Sequence, residues 1–168
     1  MGKSLVITRP FEQSEPLSSE LVNMGAKVVS LPLITIAEPV DGGKQLEEKV
    51  KDFDIYKWVV VTSPNGAQRL LKTMQVAGKS SCPRVAVIGR STAEVFEKSG
   101  ITVDFIPEKT FSEGFLEMFP KAVKEDDKVL LVKAEKARPL LYEGLKNAGW
   151  RVDKAVAYRN INSEVEEN

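Results

Sequence analysis

Short unbroken apolar runs alternate along this chain with stretches whose apolar residues recur every three to four positions. Runs such as "WVVV" and "VLLV" are too short for helices and carry no polar alternation, the pattern of strands buried on both faces. Strands are therefore predicted at Ser4–Thr8, Lys27–Leu31, Trp58–Thr62, Arg84–Ile88, Thr102–Ile106, Lys128–Val132 and Arg151–Tyr158. Between them, helical periodicity predicts helices at Glu12–Met24, Gly43–Asp52, Pro64–Gln75, Arg90–Lys98, Phe111–Phe119 and Arg138–Ala148. Gly25, Gly100 and Gly149 each follow a helical stretch and precede a strand, where a left-handed helix end belongs. Strand and helix in alternation predict an α/β fold with parallel sheets. "LPLITIAEPVDGG" (Leu31–Gly43) differs: it is extended, punctuated by proline and closed by Gly-Gly, and reads as a linker strand between two structural units.

The chain also resembles itself. Laying Ser4 on Lys128 aligns "SLVITRPFEQSEPLSSELVNMGAKVVSLPLI" with "KVLLVKAEKARPLLYEGLKNAGWRVDKAVAY" without a gap. Leu21 then falls on Leu145, Gly25 on Gly149, Lys27 on Arg151 and Val28 on Val152. Identity is modest, so two generic strand–helix–strand units and a true duplication both remain open. In a duplication, a second copy of the middle segment Trp58–Phe119 would follow the point where this chain stops.

Composition narrows the chemistry. With 24 Lys+Arg against 24 Asp+Glu, no net field draws the chain to nucleic acid or to a membrane. No apolar run approaches the roughly 20 residues of a membrane span. One unpaired cysteine, Cys82, suits a reducing compartment, and a cytoplasmic location is expected. Histidine is absent, which excludes a Ser-His-Asp site or a His-ligated zinc within this chain. No metal site is expected.

The ordered motifs "LVITRP", "GAKVVSLPLI", "WVVVTSPNGAQRLL", "VAVIGRSTAEVFEKSGITVDFIPE", "TFSEGFLEMF" and "GWRVDKAVAYRN" resemble those of the uroporphyrinogen-III synthase family over nearly the whole chain. The resemblance implies two α/β lobes of the HemD-like kind joined by a two-stranded β-linker. One is flavodoxin-like with five parallel strands; the active site lies in the cleft between them. It assigns residues 1–37 to the N-terminal βαβ portion of a split lobe and 38–43 to a linker. Residues 44–158 would form the continuous lobe, and 159–168 the return linker. The remainder of the split lobe would be missing, so the chain is expected to be a truncated member or to complete that lobe with another chain. The implied reaction closes the linear tetrapyrrole hydroxymethylbilane with inversion of ring D and loss of water, without a cofactor. The work is mainly conformational, holding a flexible substrate in the productive geometry. A non-catalytic fragment or binding module of the same fold is the alternative.

By the same resemblance, Tyr158 in "AVAYRN" matches the tyrosine proposed to assist hydroxyl departure; a phenol is protonated at neutral pH and can donate. It is equally readable as a cross-strand aromatic. Thr62, Ser63, Asn65 and Gly66 lie where a parallel strand meets a helix, the edge at which open α/β sheets place ligands. Ser63 suits a helix N-cap and Pro64 the first helical position, so turn chemistry alone also accounts for the segment. Gly89, Ser91 and Thr92 repeat the design, and Ser112, Glu113 and Gly114 repeat it again, with Ser112 expected as N-cap. Together these amide-rich helix starts would make an anion-binding rim for a polycarboxylate substrate. Thr8 and Arg9 close the first strand; Arg9 would clamp a carboxylate or pair with Glu12. Lys133 stands where the family often has Arg-Gly, supplying charge without a planar fork.

Overall fold

The chain folds in order as β1 (Ser4–Ile7), α1 (Phe11–Asn23), β2 (Lys27–Ser30), β3 (Ile34–Ala37) and α2 (Lys44–Lys51). A 3-10 turn (Phe53–Ile55) leads to β4 (Trp58–Val61), α3 (Pro64–Val76), β5 (Arg84–Val87), α4 (Arg90–Lys98) and α5 (Ser112–Met118). The order ends with β6 (Lys128–Ala134), α6 (Leu140–Asn147) and β7 (Arg151–Asn162). A computed structural model describes residues 2–163, so the end of the expected return linker, 164–168, lies outside the described residues. The chain divides into two compact units: unit 1, Met1–Ala37 with Asn160–Asn168, and unit 2, Glu38–Arg159.

In unit 2 the unbroken apolar runs do what their pattern requires. All four residues of β4 are buried, and they face alternately. Val59 and Val61 enter one core with Leu46, Leu70, Phe96 and Leu130. Trp58 and Val60 enter a second core with Phe115, Leu131, Leu141 and Leu145. Helices thus cover both faces of a parallel sheet whose strands run β7-β6-β4-β5. Each fully buried valine or leucine contributes roughly 1.5–3 kcal/mol of transfer free energy, which explains why these runs carry no polar residue. The second core is largely aromatic: Phe115 stacks on Phe119 at 4.7 Å between ring centroids, and the Trp150 indole donates to the Pro120 carbonyl at 2.8 Å.

The strand expected at Thr102–Ile106 is reduced to one parallel bridge, Ala86 with Phe105. The reason is local. The Asp104 carboxylate takes the Val85 amide at 2.8 Å, replacing a ladder carbonyl, and Pro107 has no amide with which to continue. Five parallel strands in the continuous lobe are therefore four strands and a bridge. The helix expected from Arg138 begins only at Leu140, with Pro139 at its N-cap.

Unit 1 holds the parallel pair β1 and β2 and helix α1. Its β3 segment meets the end of β7, where the Ser163 amide donates to Leu33 at 3.0 Å and the Thr35 and Ser163 hydroxyls are 3.0 Å apart.

The internal similarity is carried into hydrogen bonding. Ser4 pairs with Lys27 through to Ile7 with Ser30, and Lys128 pairs with Arg151 through to Leu131 with Lys154. The Gly25 amide donates to Val22 and the Gly149 amide to Lys146, both at 2.9 Å. Gly25 and Gly149 both have positive φ, 85° and 90°, where a side chain would be strained. Register and helix ending thus coincide at the same aligned positions in the two units.

Candidate functional site

Along the carboxyl edge of the unit 2 sheet, neighbouring strands end side by side. Val61 pairs with Val87 on one side and Val132 on the other, so the loops after β4 and β5 and the end of β6 are adjacent.

After β4, the Ser63 hydroxyl accepts the Gly66 amide at 3.2 Å and Pro64 occupies the first helical position of α3. This is the cap expected from the sequence, and the Ala67 amide closes the same turn on the Ser63 carbonyl at 3.0 Å. Thr62, Ser63 and Asn65 are half-buried and Gly66 is buried. The Thr62 hydroxyl reaches the Val132 carbonyl at 3.5 Å, tying the loop to β6.

After β5, Gly89 is the N-cap of α4 in an extended conformation, with no side-chain cap bond. A Cβ on Gly89 would meet nothing within 4 Å, so the backbone here faces open space. Ser91 is exposed; Thr92 is buried, at 2 % exposure.

The segment at α5 differs from expectation. Phe111, not Ser112, is the N-cap, and no side chain caps the helix. The first turn closes through the Phe115 amide on the Phe111 carbonyl at 2.9 Å, which makes Ser112 the first helical residue. Gly114 is buried because a Cβ there would stand 2.5 Å from Lys109 Cβ and 2.7 Å from the Lys109 carbonyl oxygen. Its small size therefore serves packing against Lys109. Glu113 is exposed.

At the end of β6 the ladder slips. Lys133 pairs with Val156, but Ala134 pairs with Tyr158, leaving Ala157 as an extra residue on β7. Such a bulge re-aims the side chain that follows it. Ala155, Ala157 and Tyr158 all pack toward the same core, which strict alternation would forbid. The Tyr158 carbonyl accepts the Glu135 amide at 2.9 Å. No sequence pattern marks this bulge, and it decides which way the tyrosine faces. A recess of about 230 Å³ lies beside it, lined by Pro39, Val40, Asp41, Gln45, Glu135 and Val156.

Lys133 Nζ donates to the Glu135 carbonyl at 3.0 Å. Its ammonium is held below the usual lysine range, first by partial burial and then by the charge of Lys154. Asp41, passed over at the sequence level, accepts the Gly43 and Gln45 amides at 2.9 Å each, which draws its carboxyl below the usual range. An Asp two residues ahead of Gly at a helix start was the available signal.

In unit 1, Thr8 and Arg9 are both exposed at the carboxyl end of β1, and the Thr8 carbonyl accepts the Leu33 amide at 3.1 Å. A groove of about 640 Å³ lies elsewhere on unit 2, between the later turns of α3 and α4, lined by Gln68, Leu71, Lys72 and Ile101 among others. Among the described residues no cluster of three or more His, Cys, Asp or Glu is placed to hold a metal ion, and no helix is long and apolar enough to cross a membrane.

The family model described as uroporphyrinogen-III synthase HemD matches residues 15–168. The chain belongs to the uroporphyrinogen-III synthase family. It is 27 % identical over 165 residues to the uroporphyrinogen-III synthase of Synechococcus elongatus, covering 95 % of this chain and 61 % of that one. A relative from Methanothermobacter thermautotrophicus, named putative uroporphyrinogen-III synthase, is 31 % identical over 159 residues, covering 93 % of this chain and 62 % of that one. The chain thus spans about three-fifths of the length of these relatives. Its fold matches a crystal structure of a mutant uroporphyrinogen-III synthase from Thermus thermophilus with a TM-score of 0.72 at 15 % identity, over 96 % of this chain and 64 % of that one. The α/β architecture with parallel sheets is the fold of the uroporphyrinogen-III synthase family.

Proposed function

We propose that this chain serves the reaction after which its relatives are named, closing hydroxymethylbilane to uroporphyrinogen III with ring D inverted and water lost, in the cytoplasm and in porphyrin biosynthesis. The observation that supports this most is the carboxyl edge of unit 2, where the start of α3, the open backbone at Gly89 and the Lys133–Tyr158 bulge lie on adjacent strands. Helix-start amides and a lysine suit the carboxylates of a tetrapyrrole. In this reading Thr62, Ser63, Asn65, Gly66, Gly89, Ser91 and Lys133 contact substrate; Thr8 and Arg9 are proposed as substrate contacts in their own right. Tyr158 donates its phenolic proton to the departing hydroxyl. No cofactor enters the scheme. Incubating the chain with hydroxymethylbilane and resolving the isomers is the test. Inverted product above the no-protein level is expected; only the non-inverted isomer, formed at the no-protein rate, would refute the proposal.

A second reading, a binding module that does not turn over alone, is favoured by the state of β1. Its counterpart β6 lies between β7 and β4, whereas β1 has only β2 beside it among the described residues. In this reading a further parallel strand, from the same polypeptide or another, pairs with the open edge of β1. Activity that appears only when such a polypeptide is added would support it.

A further inference from the structure

Two hydrogen bonds from one segment of unit 2 bracket Tyr158 on β7. The Gln45 side-chain oxygen accepts the Val156 amide at 3.2 Å, and the Glu38 carbonyl accepts Arg159 Nε at 2.9 Å. The partners lie 111 and 121 positions apart in sequence.

The Val156 bond sits where the ladder changes. Successive amides of a strand point to opposite sides. The Arg151 amide donates to the Asp127 carbonyl on the β6 side, so the Val156 amide, five residues on, points away from β6. No β6 carbonyl can take it, and the Gln45 oxygen does. One residue later the extra Ala157 breaks the alternation, and Tyr158 packs toward the core. A bulge interrupts its own ladder, so bonds from outside the ladder fix where it sits. Losing the acceptor would leave a half-buried amide unsatisfied and the bulge free to slip, which turns the residues after it to the other face.

The acceptor is itself held. Gln45 is the second residue of α2, and the Asp41 carboxylate takes the Gly43 and Gln45 amides at 2.9 Å each. Arg69 on α3 donates to the Glu38 carboxylate at 2.7 Å and to the Gly42 carbonyl at 3.3 Å. Residues 38–45 thus tie α3, whose start carries Ser63 and Asn65, to the stretch of β7 that carries Tyr158.

We propose that Gln45 is a positioning residue: its side-chain oxygen, on the Val156 amide, fixes the bulge of β7 and through it the direction of the Tyr158 phenol. That the phenol then serves the reaction rests on the function proposed above; that Gln45 directs it does not.

The test uses the full chain with ring-labelled tyrosine, the resonances of Tyr56, Tyr142 and Tyr158 being assigned by single replacement with phenylalanine. Gln45→Met, similar in length but without the amide oxygen, should shift the Tyr158 resonances and leave those of Tyr142 in place. Gln45→Glu keeps an acceptor, at a helix start that favours a carboxylate, and should restore them. In the isomer assay Gln45→Met should lower kcat about tenfold with KM within about twofold, and Gln45→Glu should recover most of the rate. Urea titration separates these effects from loss of fold. Unmoved Tyr158 resonances in Gln45→Met, or the same shift in Gln45→Glu, would overturn the proposal. A Tyr158→Phe protein as fast as the unaltered one, with the Tyr158 resonances still moved by Gln45→Met, would refute the catalytic reading while supporting the positioning one.

Discussion

Leu5 and Val129 occupy the same position in two matching strand–helix–strand units, yet Leu5 is 37 % exposed and Val129 is fully buried. The same contrast holds one residue later, with Val6 at 59 % and Leu130 at 0 %. The strands share register and sequence character, so the difference lies in what covers them. In unit 2, β4 flanks β6 and helices close both faces; among the described residues nothing does this for β1.

Amides of β1 are therefore expected to exchange with solvent deuterium much faster than those of β6. Hydrogen-exchange mass spectrometry resolves the two segments. Equal protection of Ser4–Ile7 and Lys128–Leu131 would contradict the idea that coverage, not sequence, separates them.

Ser63→Ala removes the hydroxyl that accepts the Gly66 amide. A loss of about 1 kcal/mol in unfolding free energy is expected, measured by urea titration. If the loop also grips substrate, product formation should fall further than the stability change accounts for.

Gly144 faces Leu116, and a Cβ there would stand 2.3 Å from Leu116 Cδ1 and 3.0 Å from Cγ. Overpacking of this kind costs about 1–3 kcal/mol, partly offset by alanine's better helix propensity. Gly144→Ala should lower stability, and adding Leu116→Ala should recover part of the loss. A double-mutant cycle without coupling would show that α5 and α6 do not meet as described.

Asp127 accepts the Lys57 ammonium at 2.6 Å and the Val123 and Lys124 amides at 3.1 and 3.0 Å. These interactions, with Lys57 first, hold its carboxyl below the ordinary 3.8. A depressed folded-state value contributes stability above the unfolded value and loses it as pH falls through the folded one. Stability should thus drop below about pH 4, and Asp127→Asn should flatten that drop. Urea midpoints measured between about pH 3 and 6 test the sign directly.

Burial pushes the Cys82 thiol up to about 12. Reaction with a disulfide reagent near pH 8 should be at least about 100-fold slower in the native protein than in denaturant. A native rate close to the denatured one would mean that Cys82 is far more open than its surroundings imply.

Tyr158→Phe keeps the ring that packs on the core and removes only the hydroxyl. In any form of the protein that makes the inverted isomer, a loss of about 100-fold is expected from general-acid catalysis. An unchanged rate would reduce Tyr158 to a packing role.

Much of this protein is determined by sequence alone. Continuous apolar runs such as Trp58–Val61 declare strands buried on both faces, because a polar residue there would be desolvated without a partner. Ser63 and Pro64 announce a helix start by chemistry confined to a few bonds, and Gly25 and Gly149 mark helix ends for the same reason. What tertiary structure alone decided depends on atoms distant in sequence. The strand expected around Phe105 shrank because the Asp104 side chain bonds Val85 in place of the ladder. Ser112 lost its expected cap to Phe111 as Gly114 packed onto Lys109. The bulge opposite Lys133 turned Tyr158 toward the core, and the approach of β7 to α6 brought Lys154 onto Tyr142. Local conformational preference is written residue by residue; register, coverage and the meeting of charges arise only when separate segments come together.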